Sequence, residues 1–232
     1  MVHVIKVDEI EDYLGKPVND PYGRRVGYII GFYSNSDGNV TSLEISIGDF
    51  EFKEISIDRF EFDNGDVILI PEWEYEAKKI ENRLERLRKR VVALNELYAK
   101  KEIPRHAYEK FKKKIDNELI KTKEDARSVR EILKKRLNEL EDIILELEKT
   151  LTSLKVSYLA GEIPEKAYKV AVDQIRKHID FTQMEKENVK KHIETIEKLE
   201  KQPIDIGVKT PESTVEPIPN ENQTLPVVVL ET

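Results

Sequence analysis

Tyr98-Ala99-Lys100-Lys101-Glu102-Ile103-Pro104-Arg105-His106-Ala107-Tyr108 returns sixty residues later as Tyr158-Leu159-Ala160-Gly161-Glu162-Ile163-Pro164-Glu165-Lys166-Ala167-Tyr168. The Tyr, Glu, Ile, Pro, Ala and Tyr positions repeat, and both copies interrupt a long, charged, heptad-patterned stretch. A residue before proline is pushed out of the α region, so Ile103 and Ile163 each end a helix. Pro104 and Pro164 then suit the first turn of a new helix, where a missing N–H costs nothing. The stretch therefore reads as three helices joined by two tight corners, near 101–104 and 161–164.

The apolar seams support this reading on both sides of the corners. Trp73, Ala77, Ile80, Leu84, Leu87, Val91, Leu94 and Tyr98 step by 4 and 3 without a break, as a coiled-coil seam does. A second seam runs through Tyr108, Phe111, Ile115, Leu119, Thr122, Ala126, Val129 and Leu133 to Leu137. It continues through Leu140, Ile144, Leu147, Leu151 and Leu154 to Tyr158, with local unwinding expected at two doubled steps of 4. Tyr168, Val172, Ile175, Ile179, Val189, Ile193 and Ile196 mark the third. A helix from Pro104 to Leu159 is about 80 Å long. Helices one and three should run antiparallel to it from opposite ends and meet near 123–133, beside the weak seam residues Thr122 and Ala126. The expected product is a thin two-stranded rod with exposed flanks that favour self-association.

Upstream, seven of the nine glycines and five of the seven phenylalanines fall between Gly15 and Gly65. Val26, Tyr28, Ile30 and Phe32 share one face of a strand, as do Leu43, Ile45 and Ile47 in the next. Phe50 and Phe52 lead to Ile55 and Ile57 through a parity slip at Lys53–Glu54 that suggests a bulge. Asn35-Ser36-Asp37-Gly38 and Asp63-Asn64-Gly65-Asp66 supply turns, and Asn-Gly is a strong hairpin signal. Short, evenly spaced strands read as a small barrel. Downstream, residues 202–232 hold five of the ten prolines. This composition cannot bury a core and should be disordered. It ends on the β-branched apolar run Leu225, Pro226, Val227, Val228, Val229 and Leu230, which suits the addition of a strand to a partner's sheet edge.

Three parts follow: a β-barrel over 1–72, a helical rod over 73–201 and a Pro-rich tail over 202–232. Charge divides along the same lines. Residues 1–72 carry net −9, residues 78–136 net +11 and residues 137–201 net −3. Arg83, Arg86, Arg88, Lys89 and Arg90 cluster on the first helix; Lys110, Lys112, Lys113 and Lys114 cluster on the second. With residue i opposite roughly 202 − i, Arg88–Arg90 would face Lys112–Lys114 in one band. Such a band could neutralise DNA phosphates or anionic lipid headgroups, or form a solvated flank that sets filament register.

Little else points to chemistry. The chain has no cysteine, which excludes disulfides and thiolate metal sites. His3, His106, His178 and His192 show no metal-ligand spacing, and no phosphate-binding glycine loop is present. The expectation is a protein without catalysis, cofactor or small-molecule substrate. No run of eighteen apolar residues and no basic-then-apolar leader occur, so a cytoplasmic location is expected.

Val7-x-x-Ile10-x-x-Tyr13-Leu14-Gly15-Lys16-Pro17-Val18, followed by Tyr22-Gly23-Arg24-Arg25-Val26-Gly27-Tyr28-Ile29, resembles the PRC-barrel family over residues 4–71. PRC barrels are usually adaptors, so the resemblance implies no catalysis. Gly15 and Gly23 would supply positive-φ turns, and Gly27 a close backbone approach. The order of PRC barrel, coiled coil with Glu-Ile-Pro corners, Pro-rich linker and terminal apolar strand resembles the CdvA family of archaeal cell-division proteins over the whole chain. That resemblance implies a filament at the division site that recruits an ESCRT-III homologue, CdvB, by adding a terminal strand to its winged-helix domain. Here the strand is Leu225 to Leu230. It also implies DNA binding and peripheral membrane association.

Overall fold

A computed structural model describes residues 5–48, 50–63 and 65–201. His3, the tail at 202–232 and its Leu225–Leu230 run lie outside the described residues. One helical turn, α1 (Val7–Ile10), precedes strands β1 (Pro17–Asn19), β2 (Arg25–Ser34), β3 (Val40–Ile47), β4 (Glu51–Ser56), β5 (Phe60–Asp63) and β6 (Asp66–Leu69). They form one six-stranded sheet in the order β4-β3-β2-β1-β6-β5. Only β1 and β6 pair in parallel; the other neighbours are antiparallel. The sheet is a half-barrel: its edges β4 and β5 are not hydrogen-bonded to each other among the described residues.

Val18, Ile29, Leu43, Ile45, Ile55 and Val67 fill the concave side, and Ile10 closes it. Gly15 and Gly23 have positive φ at the turns flanking β1. Gly27 marks a closer contact: a Cβ there would stand 1.9 Å from the Ser46 carbonyl oxygen of β3. Any side chain would pry the two strands apart.

Two strand expectations are corrected. On β2 the buried positions are Gly27 and Ile29, while Tyr28 and Ile30 are exposed. The register with β3 slips between Ile29 and Gly31, where two residues face one, and this bulge returns Phe32 to the core side. On β4 there is no slip at Lys53–Glu54, because pairing to β3 is regular from Ile47↔Glu51 to Ser42↔Ser56. Phe52 instead points outward, opposite Ser46, which in turn pairs with the exposed Tyr28. An apolar residue on the solvent face looked like a change of parity.

The helical part comprises α2 (Glu72–Ala99), α3 (Arg105–Leu159) and α4 (Glu165–Lys201). At the first corner Glu102 N–H donates to Leu97 C=O and Lys101 N–H to Tyr98 C=O. At the second, Glu162 bonds Ser157 and Gly161 bonds Tyr158 in the same pattern. Each is a Schellman closure, with Lys101 (φ 59°) and Gly161 (φ 74°) in the left-handed position. The repeated tyrosines stack across both corners, Tyr98 on Tyr108 at 4.2 Å and Tyr158 on Tyr168 at 4.4 Å.

The helices do not meet end to end. With 28 and 37 residues, α2 and α4 together exceed the 55 of α3, so their tips overlap by about ten residues, or ~15 Å. The middle of α3 is therefore flanked by both. Trp73, Ala77, Ile80 and Leu84 pack there with Ala126, Val129, Leu133 and Leu140, and with Val189 and Ile196. Thr122 and Ala126 are fully buried rather than weak points, since small side chains let a third helix approach. The molecule is three-stranded at its centre and two-stranded only in its arms. Phe111, expected in the seam, is 55% exposed.

Candidate functional site

The structure redistributes the basic band. α2 and α3 cross-pair further along than 202 − i: Arg90 lies 3.6 Å from Glu118 and Arg83 2.9 Å from Asp125. Both pairs set residue i of α2 opposite roughly 208 − i of α3. Arg88–Arg90 thus face Glu118–Ile120, not Lys112–Lys114. Arg88 donates to the Leu199 carbonyl of α4, Lys89 pairs with Glu85 at 2.8 Å, and Lys112 lies over the Tyr108 ring. Arg86, Lys110, Lys113 and Lys114 are exposed and make no ion pair among the described residues. The nine candidate cations are therefore not one surface. Those that remain available lie mainly on the outer side of α3.

A second constellation, absent from the sequence reading, sits where the sheet meets the helices. Glu185 of α4 is 1% exposed. Its carboxylate accepts from Arg24 of the β1–β2 loop, from Arg136 Nε at 2.8 Å and from Trp73 Nε1 at 3.2 Å. Asp20 holds Arg24 from behind at 2.6 Å. Alongside, the Tyr22 hydroxyl donates to buried Glu74 at 3.2 Å and accepts from Asn188 Nδ2 at 2.8 Å. His192 Nδ1 lies 2.7 Å from Glu81, and its ring meets Trp73 edge-on at 5.9 Å.

The electrostatics follow from this packing. Burial pushes the Glu185 carboxyl up, but hydrogen bonds and charge from Arg136 and Arg24 outweigh it and hold the group below its ordinary value. Burial raises the Tyr22 hydroxyl, and the Asn188 hydrogen bond offsets only part of that rise. Donors from the loop, α2 and α3 converge on Glu185 and occupy both of its oxygens. The arrangement ties the β1–β2 loop, α2 and α3 to α4. The sequence signal for it was a gap: between Ile179 and Val189 the buried residues of α4 are Thr182 and Glu185. A buried carboxylate in a seam needs cationic partners.

Among the described residues no His, Asp and Glu group could hold a metal ion, and no helix is long and apolar enough to cross a membrane.

The profile of the CdvA-like coiled-coil domain family matches residues 72–218. The chain is also 33% identical over 219 residues to Cell division protein A of Sulfolobus acidocaldarius, covering 94% of this chain and 92% of that protein. No solved structure matches the chain.

Proposed function

The chain belongs to the CdvA family, and from that membership we propose that it serves archaeal cell division as a non-catalytic, filament-forming scaffold. The observation that carries this reading is the likeness to a Cell division protein A along nearly the whole length of both chains. In this reading residues 1–72 are an adaptor barrel, 73–201 an antiparallel coiled-coil rod and 202–232 a Pro-rich tail. Leu225, Pro226, Val227, Val228, Val229 and Leu230 add a strand to the winged-helix domain of an ESCRT-III homologue, CdvB. Assembly takes place at the division site, peripherally on the membrane. The test is a titration of the full chain against that winged-helix domain, beside a chain with Val227→Asp and Val229→Asp. Saturable binding lost in the double variant supports recruitment; equal binding by both sinks the tail's role.

A second reading is DNA binding, favoured by the exposed Arg86, Lys110, Lys113 and Lys114, which make no ion pair among the described residues. Reversal of these four to Glu should weaken duplex binding and flatten its salt dependence. A salt slope unchanged by the reversal would remove this surface from any DNA contact.

A further inference from the structure

Two surfaces of the molecule take no part in the contacts that build the fold. The first is an open groove of about 950 Å³ on the convergence of α1, β5 and the start of α2. Its apolar wall includes Tyr13, Phe60, Phe62 and Tyr75, with Tyr13 meeting Phe62 edge-on at 4.9 Å. Around it stand the carboxylates of Asp8, Glu9, Asp12, Asp58 and Glu61, none with an ion-pair partner among the described residues. Glu9 accepts from the Lys6 backbone, and Lys16 lies over the Tyr13 ring at 4.5 Å; neither contact neutralises the rim. An aromatic wall beside unneutralised acids suits lysine side chains: the stems lie on the rings and the ammonium heads reach the carboxylates.

The second feature is a stripe of such side chains. Lys110, Lys113, Lys114 and Lys121 are exposed and make no ion pair among the described residues. At 100° per residue they cluster about 140° around α3 from the seam residues Tyr108, Ile115 and Thr122, on the side turned away from α2. Within one chain the stripe cannot reach the groove. The Arg90–Glu118 and Arg83–Asp125 pairs set Lys121 opposite about Leu87, and Tyr108 bonds Asn95, so the stripe starts about 18 Å and ends nearly 30 Å along α2 from Tyr75, beyond a lysine's reach.

We propose that the acidic aromatic groove of one copy receives the Lys110–Lys121 stripe of a second copy, giving a head-to-tail interface. Different surfaces meet in such a contact, so each copy leaves one groove and one stripe free. Unless the rotation closes a ring, the chain of copies stays open. Complementary charge, net −9 over 1–72 against +11 over 78–136, orients the encounter. This inference rests on the self-assembly reading and names its interface.

The test uses the full chain in low salt, followed by light scattering and electron microscopy. One variant carries Asp12→Lys, Asp58→Lys and Glu61→Lys; the other carries Lys110→Glu, Lys113→Glu and Lys114→Glu. All six residues are exposed, and circular dichroism of both variants checks that they fold. Each alone should raise the concentration needed for assembly by about tenfold or more. The first variant has a basic groove and a basic stripe, and the second an acidic pair, so an equimolar mixture should assemble again in alternation. Recovery on mixing establishes the interface. Assembly unaffected by either variant overturns the interface and leaves self-assembly standing by another surface. Loss in both without recovery overturns it too and assigns the stripe to another ligand, such as DNA. Absence of assembly by the unaltered chain overturns both the interface and the filament reading.

Discussion

The ends of α3 and its middle are held by opposite kinds of physics. Each end is turned by the same eleven-residue phrase, closed by backbone bonds no more than five residues apart and topped by stacked tyrosines. The middle is held by Glu185, Arg24, Arg136 and Trp73, which come from four distant places in the chain. The ends are local structures and could form with little help. The middle exists only when the sheet, α2, α3 and α4 are all in place. Within the ends a finer contrast appears, because one corner puts Gly161 in the left-handed position and the other Lys101. For L residues that conformation carries a steric cost, so the two corners share a design but not its strain.

The largest effect should come from the middle. Glu185→Ala removes the buried acceptor shared by Arg24, Arg136 and Trp73, leaves the two arginines only Asp20 and Glu139, and should cost about 3 kcal/mol in urea unfolding. A cost near that of an exposed pair, under ~1 kcal/mol, would make the lock incidental. At the ends, Gly161→Val forces a β-branched residue into the left-handed position and should cost about 2 kcal/mol, while Lys101→Val starts from a strained residue and should cost less. Lys101→Gly should stabilise by about 1 kcal/mol, with Gly161→Lys giving the opposite sign. Equal responses at the two corners would show that the left-handed position is not what separates them. Smallest is Tyr108→Phe, which removes the 3.0 Å bond to Asn95 and should cost about 0.5–1 kcal/mol. Tyr168→Phe at the other corner, where Lys155 replaces the asparagine, should be near neutral.

Acid sharpens the same contrast. The folded carboxyl of Glu185 sits below its unfolded value, so its contribution is complete above the ordinary carboxylate pKa of about 4.3. It is lost as pH falls from there through the folded value. Glu185→Gln should flatten that acid limb of a pH–stability curve, while Lys101→Gly should shift the whole curve without changing its slope.

Much of this contrast was legible in the sequence at the ends and little in the middle. Ile103-Pro104 and Ile163-Pro164 announce helix breaks because proline constrains its neighbour directly. Gly27 reads as a close approach, and the structure leaves 1.9 Å for a Cβ. The inward face of β2 did not read correctly, because the bulge at Ile29–Gly31 depends on its pairing with β3. In the sequence the basic band reads as one surface because charge counts ignore partners. Asp125 and Glu118 engage Arg83 and Arg90 once α2 and α3 are in register, and Glu85 engages Lys89 one turn away within α2. The groove beside Tyr13 and Tyr75 was not visible at all, since its residues lie more than sixty positions apart.

The sequence by itself determined the helix periods, the two corners and the uneven distribution of charge, because these depend on residues within a few positions of one another. The tertiary structure alone decided that α2 and α4 overlap beside Thr122 and Ala126, that Glu185 is buried among cations, and that most arginines of the band are paired. Those outcomes depend on register and on desolvation, and both are fixed only when distant segments exclude water together.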